Sequence, residues 1–257
     1  MNGLLEKLKK HNIPQDRYQE QATKLVELGF TQEVADKLII KKSSEKPINT
    51  LIEYFDVASK FLSHQQMASL VKHDGGGKNL LGVITHKDTL RQRGFPDQDI
   101  VKMAANIGGS KNIESVMAHY DALLKMGFAD LDIVKMAANI GGSKNIESVM
   151  DHYDALLKMA FADLDIVKIA ASNGGSKNME SVMAHYNALR KMGFADPDIV
   201  KMAANGGGSQ TTEYVIKNQK VIFASNLSCA DIATKCNTSS GHAQLGAFLS
   251  RKANVDA

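Results

Sequence analysis

The chain has 257 residues with 20 Gly, 4 Pro and no Trp, enough for a sizeable core but a composition that suits short helices better than one compact body. Its 31 basic and 28 acidic residues leave a net charge of only +3, so composition alone does not single out nucleic acid as a partner. No segment approaches the roughly 20 apolar residues of a membrane span, and Met1 to Lys10 lacks an apolar run of signal-peptide length, so a soluble intracellular protein is expected.

Valine and isoleucine fall at helical spacing, and no stretch alternates apolar with polar residues over strand length; the expected class is all-α. In chain order, residues 14–28 read as an N-terminal helix. Gly29 to Phe61 follows as a loosely matching unit, with Leu51 and Ile52 at core positions and Lys41-Lys42 near its loop. A diverged repeat at 62–94 comes next, then FPDQDIVKMAANIGGSKNIESVMAHYDALLKMG at 95–127 and a copy at 128–160 that differs at four positions. Units 161–193 and 194–226 keep the 33-residue period, the last drifting in its second half. Residues 227–257 preserve Asp231-Ile232 in the register of Asp198-Ile199, but the loop has become Thr238-Ser239-Ser240-Gly241. The expected organisation is an N-terminal helical cap with a cryptic repeat (1–61), five repeats (62–226) and a degenerate C-terminal cap (227–257). Units this small cannot bury their own apolar faces, so they must stack into a superhelical solenoid with atypical ends.

Within one unit, Asp97 to Ala105 is predicted as a short helix that buries Ile100, Val101, Met103 and Ala104. The pair Gly108-Gly109 supplies the backbone freedom of a tight loop. Ser110 is expected to cap a second helix whose Ile113, Val116, Met117, Tyr120, Leu123 and Leu124 recur at spacings of three and four. Gly127 then turns the chain into the next unit.

Most differences between units are mild apolar exchanges such as Met136 against Ile169, which a packed core tolerates. The two residues before Gly-Gly behave otherwise. They are His73-Asp74, Asn106-Ile107, Asn139-Ile140, Ser172-Asn173 and Asn205-Gly206, so an acid, two aliphatics, an amide and a bare backbone occupy one geometric slot. Asn, Gly, Ser and Asp are ordinary turn residues, but a β-branched Ile107 or Ile140 is a poor choice for a solvated turn.

This arrangement resembles the repeats of the transcription activator-like (TAL) effectors and their short bacterial relatives, over about residues 62–226. The family's variable pair, its Gly-Gly, its phosphate-facing residue and its later acid and valine fall here on Asn106, Ile107, Gly108, Gly109, Lys111, Glu114 and Val116. The resemblance implies that the second loop residue meets a base of double-stranded DNA in the major groove. The first supports the loop by bonding back to the preceding helix, at the carbonyl of Lys102 and its equivalents. The base-contacting residues would then be Asp74, Ile107, Ile140, Asn173 and Gly206, and the supporting ones His73, Asn106, Asn139, Ser172 and Asn205. The chemistry is sensible in its own right: Asp74 can accept from cytosine N4, Asn173 can reach a purine N7, and Gly206 leaves room for a thymine methyl. Adenine for the two isoleucines and an N-to-C reading as 5′ to 3′ are implied by the resemblance alone, and the site so read is C-A-A-(G/A)-T.

Affinity is expected from the backbone phosphates, held by the loop amides, the start of the second helix and a lysine. The sets are Gly75-Gly76-Lys78, Gly108-Gly109-Lys111, Gly141-Gly142-Lys144, Gly174-Gly175-Lys177 and Gly207-Gly208-Gln210. Four such lysines imply a log–log salt slope of roughly −3 to −4. Repeats 95–127 and 128–160 carry more acid than base, so the lysines must be segregated to one face. Lys41 and Lys42 are weaker candidates for nonspecific DNA contact, as the resemblance implies for a cryptic repeat.

The remaining features are quieter. His119, His152 and His185 recur once per unit, which makes no chelating pair, and Cys229 and Cys236 read as core residues of a reducing compartment. No cofactor, metal, catalytic residue, membrane or small-molecule substrate is expected, and self-association is compatible with the sequence. The location would be a bacterial cytoplasm or nucleoid, or a host nucleus for a secreted effector. Compared with the plant-pathogen proteins, Asp121 and Asp154 stand where a mid-helix proline is usual, and the missing Trp removes the reader of a leading thymine. A helical scaffold that binds a peptide along its concave face is the second reading.

Overall fold

A computed structural model describes residues 2–42, 44–238 and 240–255. All regular structure among them is helical, in eighteen helices, and none of these is long and apolar enough to cross a membrane. Ser239, in the altered C-terminal loop, lies outside the described residues. The chain divides into two compact units, 1–117 and 118–257, with the boundary inside one helix.

The N-terminal unit holds α1 (Asn2–Lys10), α2 (Gln15–Glu27), α3 (Gln32–Lys41), α4 (Lys46–Glu53), α5 (Phe55–Ala58), α6 (His64–Lys72), α7 (Gly77–Gln92), α8 (Asp97–Ala104) and the start of α9 (Ser110–Lys125). The short helices α3, α6 and α8 pack one on the next, and the longer α7 packs on α4, α6 and α8.

The C-terminal unit continues with α10 (Asp130–Ala137), α11 (Gly142–Lys158), α12 (Asp163–Ala170), α13 (Gly175–Lys191), α14 (Asp196–Ala203), α15 (Gly208–Lys217), α16 (Gln219–Ala224), α17 (Cys229–Cys236) and α18 (Gly241–Val255). Here α10, α12, α14 and α17 form one series of packed neighbours, and α11, α13, α15 and α18 form a second. A break at Asn218 splits the second helix of the 194–226 segment, where the sequence drifts.

The long helices α7, α9, α11 and α13 end in the same way. Phe95, Phe128, Phe161 and Phe194 donate their amides to the carbonyls of Leu90, Leu123, Leu156 and Leu189, and every one of these rings is at most 2% exposed. This six-to-one bond with a buried apolar follower is a Schellman ending, and it requires a left-handed residue one step earlier. That residue is Gly94, Gly127 or Gly193 at φ 90 to 93°, but Ala160 takes its place at φ 64°. A Cβ costs about 1–2 kcal/mol in this region. Ala160→Gly is accordingly expected to stabilise the chain by about 0.5–1 kcal/mol, read as a shift in the chemical denaturation midpoint with an unchanged slope.

The core repeats with the sequence. Ile133, Met136, Val149 and Leu156 are fully buried, as are Ile166, Ile169, Val182 and Leu189. Leu124 is a correction: expected in the core, it is 43% exposed, and its equivalent Leu157 is 42% exposed. Leu123 already occupies the packed face, and the next residue, turned by about 100°, falls outside it. Ser110 is another. It is the first residue of α9, while its equivalents Ser143, Ser176 and Ser209 lie second in helices opened by glycine, with no side-chain cap at the N-termini of α7, α11, α13 or α15. Successive repeats are tied by tyrosine instead: Tyr120, Tyr153 and Tyr186 each donate a 2.9 Å hydrogen bond to Asp130, Asp163 and Asp196, ten residues on.

Candidate nucleic-acid interface

Each short helix stops just ahead of its variable pair, and a tight loop leads from there into the long helix. In the N-terminal unit the loops are His73-Asp74-Gly75-Gly76 and Asn106-Ile107-Gly108-Gly109. In the C-terminal unit they are Asn139-Ile140-Gly141-Gly142, Ser172-Asn173-Gly174-Gly175 and Asn205-Gly206-Gly207-Gly208. The two variable residues divide cleanly. Asp74, Ile107, Ile140, Asn173 and Gly206 are all exposed, whereas His73, Asn106, Asn139 and Asn205 are half-buried and Ser172 is buried. Ile107 and Ile140 present 46% and 42% of their surface to solvent.

In the first four loops the second residue of the pair is held by its backbone. In two loops its amide is fixed by the first residue: Asn106 Oδ1 accepts from the Ile107 amide and Asn139 Oδ1 from that of Ile140, each at 2.7 Å. Its carbonyl is fixed by an asparagine that the sequence pattern did not single out. Asn79, Asn112, Asn145 and Asn178 are at most 2% exposed. They donate to the carbonyls of Asp74, Ile107, Ile140 and Asn173 at 2.8, 3.2, 3.3 and 3.3 Å. The same amide nitrogens in the first three reach back to Leu70, Met103 and Met136 in the preceding helices, at 3.2, 3.1 and 3.4 Å. Within each unit the side-chain oxygen also crosses to the following loop, where Asn79 accepts from the Ser110 amide, Asn145 from Ser176 and Asn178 from Ser209. One buried side chain therefore sets its own tip and registers it against the next. The 211 position of this series holds a threonine, whose buried Oγ1 has no partner.

The supporting residues bond by several routes. Ser172 Oγ donates to the Ile169 carbonyl at 2.6 Å and Asn205 Nδ2 to that of Met202 at 2.5 Å. These carbonyls lie one residue beyond Lys168 and Lys201, which the Lys102 position implied. Asn139 instead reaches forward to the Ala171 carbonyl of the next segment. His73 makes no side-chain hydrogen bond among the described residues. Its imidazole is held below the usual histidine value, first by burial and then by Lys41, Lys72 and Lys42, with Asp74 acting the other way.

The phosphate sets need one correction. The amides of Gly76, Gly109, Gly142, Gly175 and Gly208 are already spent on the carbonyls of His73, Asn106, Asn139, Ser172 and Asn205. The tight turn uses its own second glycine donor, and the Ser110, Ser176 and Ser209 amides go to the asparagines. In the first four loops the amides of Gly75, Gly108, Gly141 and Gly174 make no backbone hydrogen bond among the described residues, and Lys78, Lys111, Lys144 and Lys177 are exposed. In the last loop Gly207 donates to Asn205 Oδ1 and Gln210 replaces the lysine, leaving the least basic tip. The lysines are not fully segregated from acid: Lys144 shares a groove with Glu147, Asp151 and Glu180. Lys41 is exposed at the end of α3, while Lys42 spends its ammonium on the His73 carbonyl at 2.7 Å. No family model matches the chain, and no curated protein matches it.

Proposed function

We propose that this chain binds double-stranded DNA through the major groove, as a solenoid of 33-residue repeats that resembles the TAL-effector arrays. Asp74, Ile107, Ile140, Asn173 and Gly206 each address one base, in the order C-A-A-(G/A)-T. The observation that carries the reading is the division inside every loop: the second residue, which ranges over an acid, an aliphatic, an amide and a bare glycine, is the exposed one, and a buried asparagine clamps its carbonyl in four of the five. Variation free of a packing role, on a clamped frame, is what selective contact requires. Phosphate contact falls to Lys78, Lys111, Lys144 and Lys177, with the free first-glycine amide beside each.

Fluorescence anisotropy on duplexes with single-base changes tests this. Asp74→Asn is expected to lower discrimination at the first base by roughly tenfold. Lys111→Ala should weaken all duplexes alike and reduce the salt slope by about 1. Affinity indifferent to both sequence and salt would refute the proposal. The alternative, a scaffold for a peptide, draws on Leu131 and Leu164, 58% and 57% exposed at equivalent places on α10 and α12. It predicts that Leu131→Asp with Leu164→Asp abolishes partner binding and that Asp74→Asn changes nothing.

A further inference from the structure

In the N-terminal unit a groove of about 440 Å³ opens between α3 and α6. Val34, Leu38 and Ala68 give its lining an apolar part, here called the floor, and Lys41, Lys72 and His73 a basic part, here called the rim; Gln65 and Ser69 also line it. Lys37 also lines the groove but is paired with Glu33 at 2.5 Å, and Lys42 is turned onto the His73 carbonyl. Lys41 and Lys72 have no acidic partner among the described residues. Two free ammoniums and an imidazole without a hydrogen-bond partner thus face one cavity above a methyl-lined floor. The proton affinity of His73 is lowered first by its burial, and Lys41, Lys72 and Lys42 add to that.

A backbone phosphate of a duplex would use the rim and leave the floor empty. A free anion of nucleotide size would use both, and cavities of a few hundred Å³ with an apolar lining and a few convergent polar groups are what such ligands occupy. A phosphomonoester carries about −1.5 to −2 charge near neutral pH, matching two ammoniums and a histidine donor. We propose that the α3–α6 groove binds a small phosphorylated molecule with an apolar ring body, of the class of a nucleoside monophosphate. The phosphate lies between Lys41, Lys72 and His73, and the ring lies on Val34, Leu38 and Ala68. Because His73 is bonded directly to Asp74, occupancy would also move the first tip; that consequence alone rests on the DNA reading above.

The test is NMR titration of the full chain, without DNA, with AMP, inorganic phosphate and adenosine. AMP should shift the His73 ring signals and raise the pH at which they titrate, with inorganic phosphate and adenosine each weaker by roughly tenfold or more. Lys41→Ala with Lys72→Ala, both at the surface, should weaken AMP by at least about tenfold. Ala68→Met should block AMP by filling the floor while sparing inorganic phosphate. Equal affinity for inorganic phosphate and AMP would reduce the groove to a plain anion patch and overturn the proposal. So would silence toward AMP, including the case in which the double lysine variant weakens only duplex binding. Loss of base discrimination in the duplex assay leaves these titrations unaffected, so the two readings fail separately.

Discussion

Asn178→Ala should destabilise the protein by about 3–4 kcal/mol and, on the proposed DNA-binding reading, blunt discrimination at the fourth and fifth bases together. Its amide nitrogen donates to Ser172 Oγ at 2.8 Å, the Asn173 carbonyl at 3.3 Å and the Asn205 carbonyl at 2.9 Å, and its oxygen accepts from the Ser209 amide at 2.8 Å. The residue is 2% exposed. Truncation therefore leaves several polar groups without partners or water, at about 1–3 kcal/mol for each one left unsatisfied, moderated by relaxation. Thr211→Val is the control in the same register. Its hydroxyl is buried and unpaired, so an isosteric methyl should be neutral or stabilising by up to about 1 kcal/mol. Chemical denaturation of both variants, with hydrogen exchange of the Asn173 and Gly206 loops, reads the contrast. Equal small effects would mean that asparagine does not hold the tips.

The recurrence of residues at a fixed interval makes the helix pairs legible in the sequence itself, because the same apolar set must be buried each time a unit packs on its neighbour. Phe128, Ile133 and Tyr153 announce their places through Phe161, Ile166 and Tyr186. The exposed tip is legible too, since an isoleucine before paired glycines has no local reason to be there. The asparagine clamp cannot be told from a polar residue on the solvated face of a helix, although Asn79, Asn112, Asn145 and Asn178 recur as faithfully as the lysine before each of them. Its burial depends on where the second helix starts. Expecting Ser110 to cap that helix misplaces the first turn, and so hides the side that faces the preceding helix. The division of labour between paired glycines is hidden for the same reason: composition shows two flexible residues, and only the fold shows one donor consumed and one without a backbone partner. The α3–α6 groove depends on the packing of segments about 30 residues apart and has no local signature.

That division of labour sets up the second large effect. Gly175→Ala is expected to cost about 2–3 kcal/mol, although alanine is the better helix former by about 1 kcal/mol and Gly175 opens α13. An added Cβ would lie 2.1 Å from the carbonyl oxygen of Ala170 and 2.7 Å from its carbon. These are backbone atoms at the end of α12, so no side chain can swing away, and the start of α13 must move instead. Overpacking of this kind usually costs about 1–3 kcal/mol. Gly174→Ala meets only Asn178 Oδ1, at 3.9 Å, but holds φ at +80°, so its cost is the conformational one of about 1–2 kcal/mol. Gly208 and Gly241 repeat the close approach, with a Cβ 2.2 and 2.1 Å from the carbonyls of Ala203 and Cys236. In the altered C-terminal loop the first glycine is gone and the second remains, which marks the second as the architectural one. Because the shift carries Asn173 with it, the proposed DNA-binding reading further expects Gly175→Ala to weaken discrimination at the fourth base, whereas Ala160→Gly, at the far end of the preceding long helix, should not. A Gly175→Ala protein more stable than the parent would show that helix propensity outweighs the contact and that the approach of α12 to α13 is looser than 2.1 Å implies.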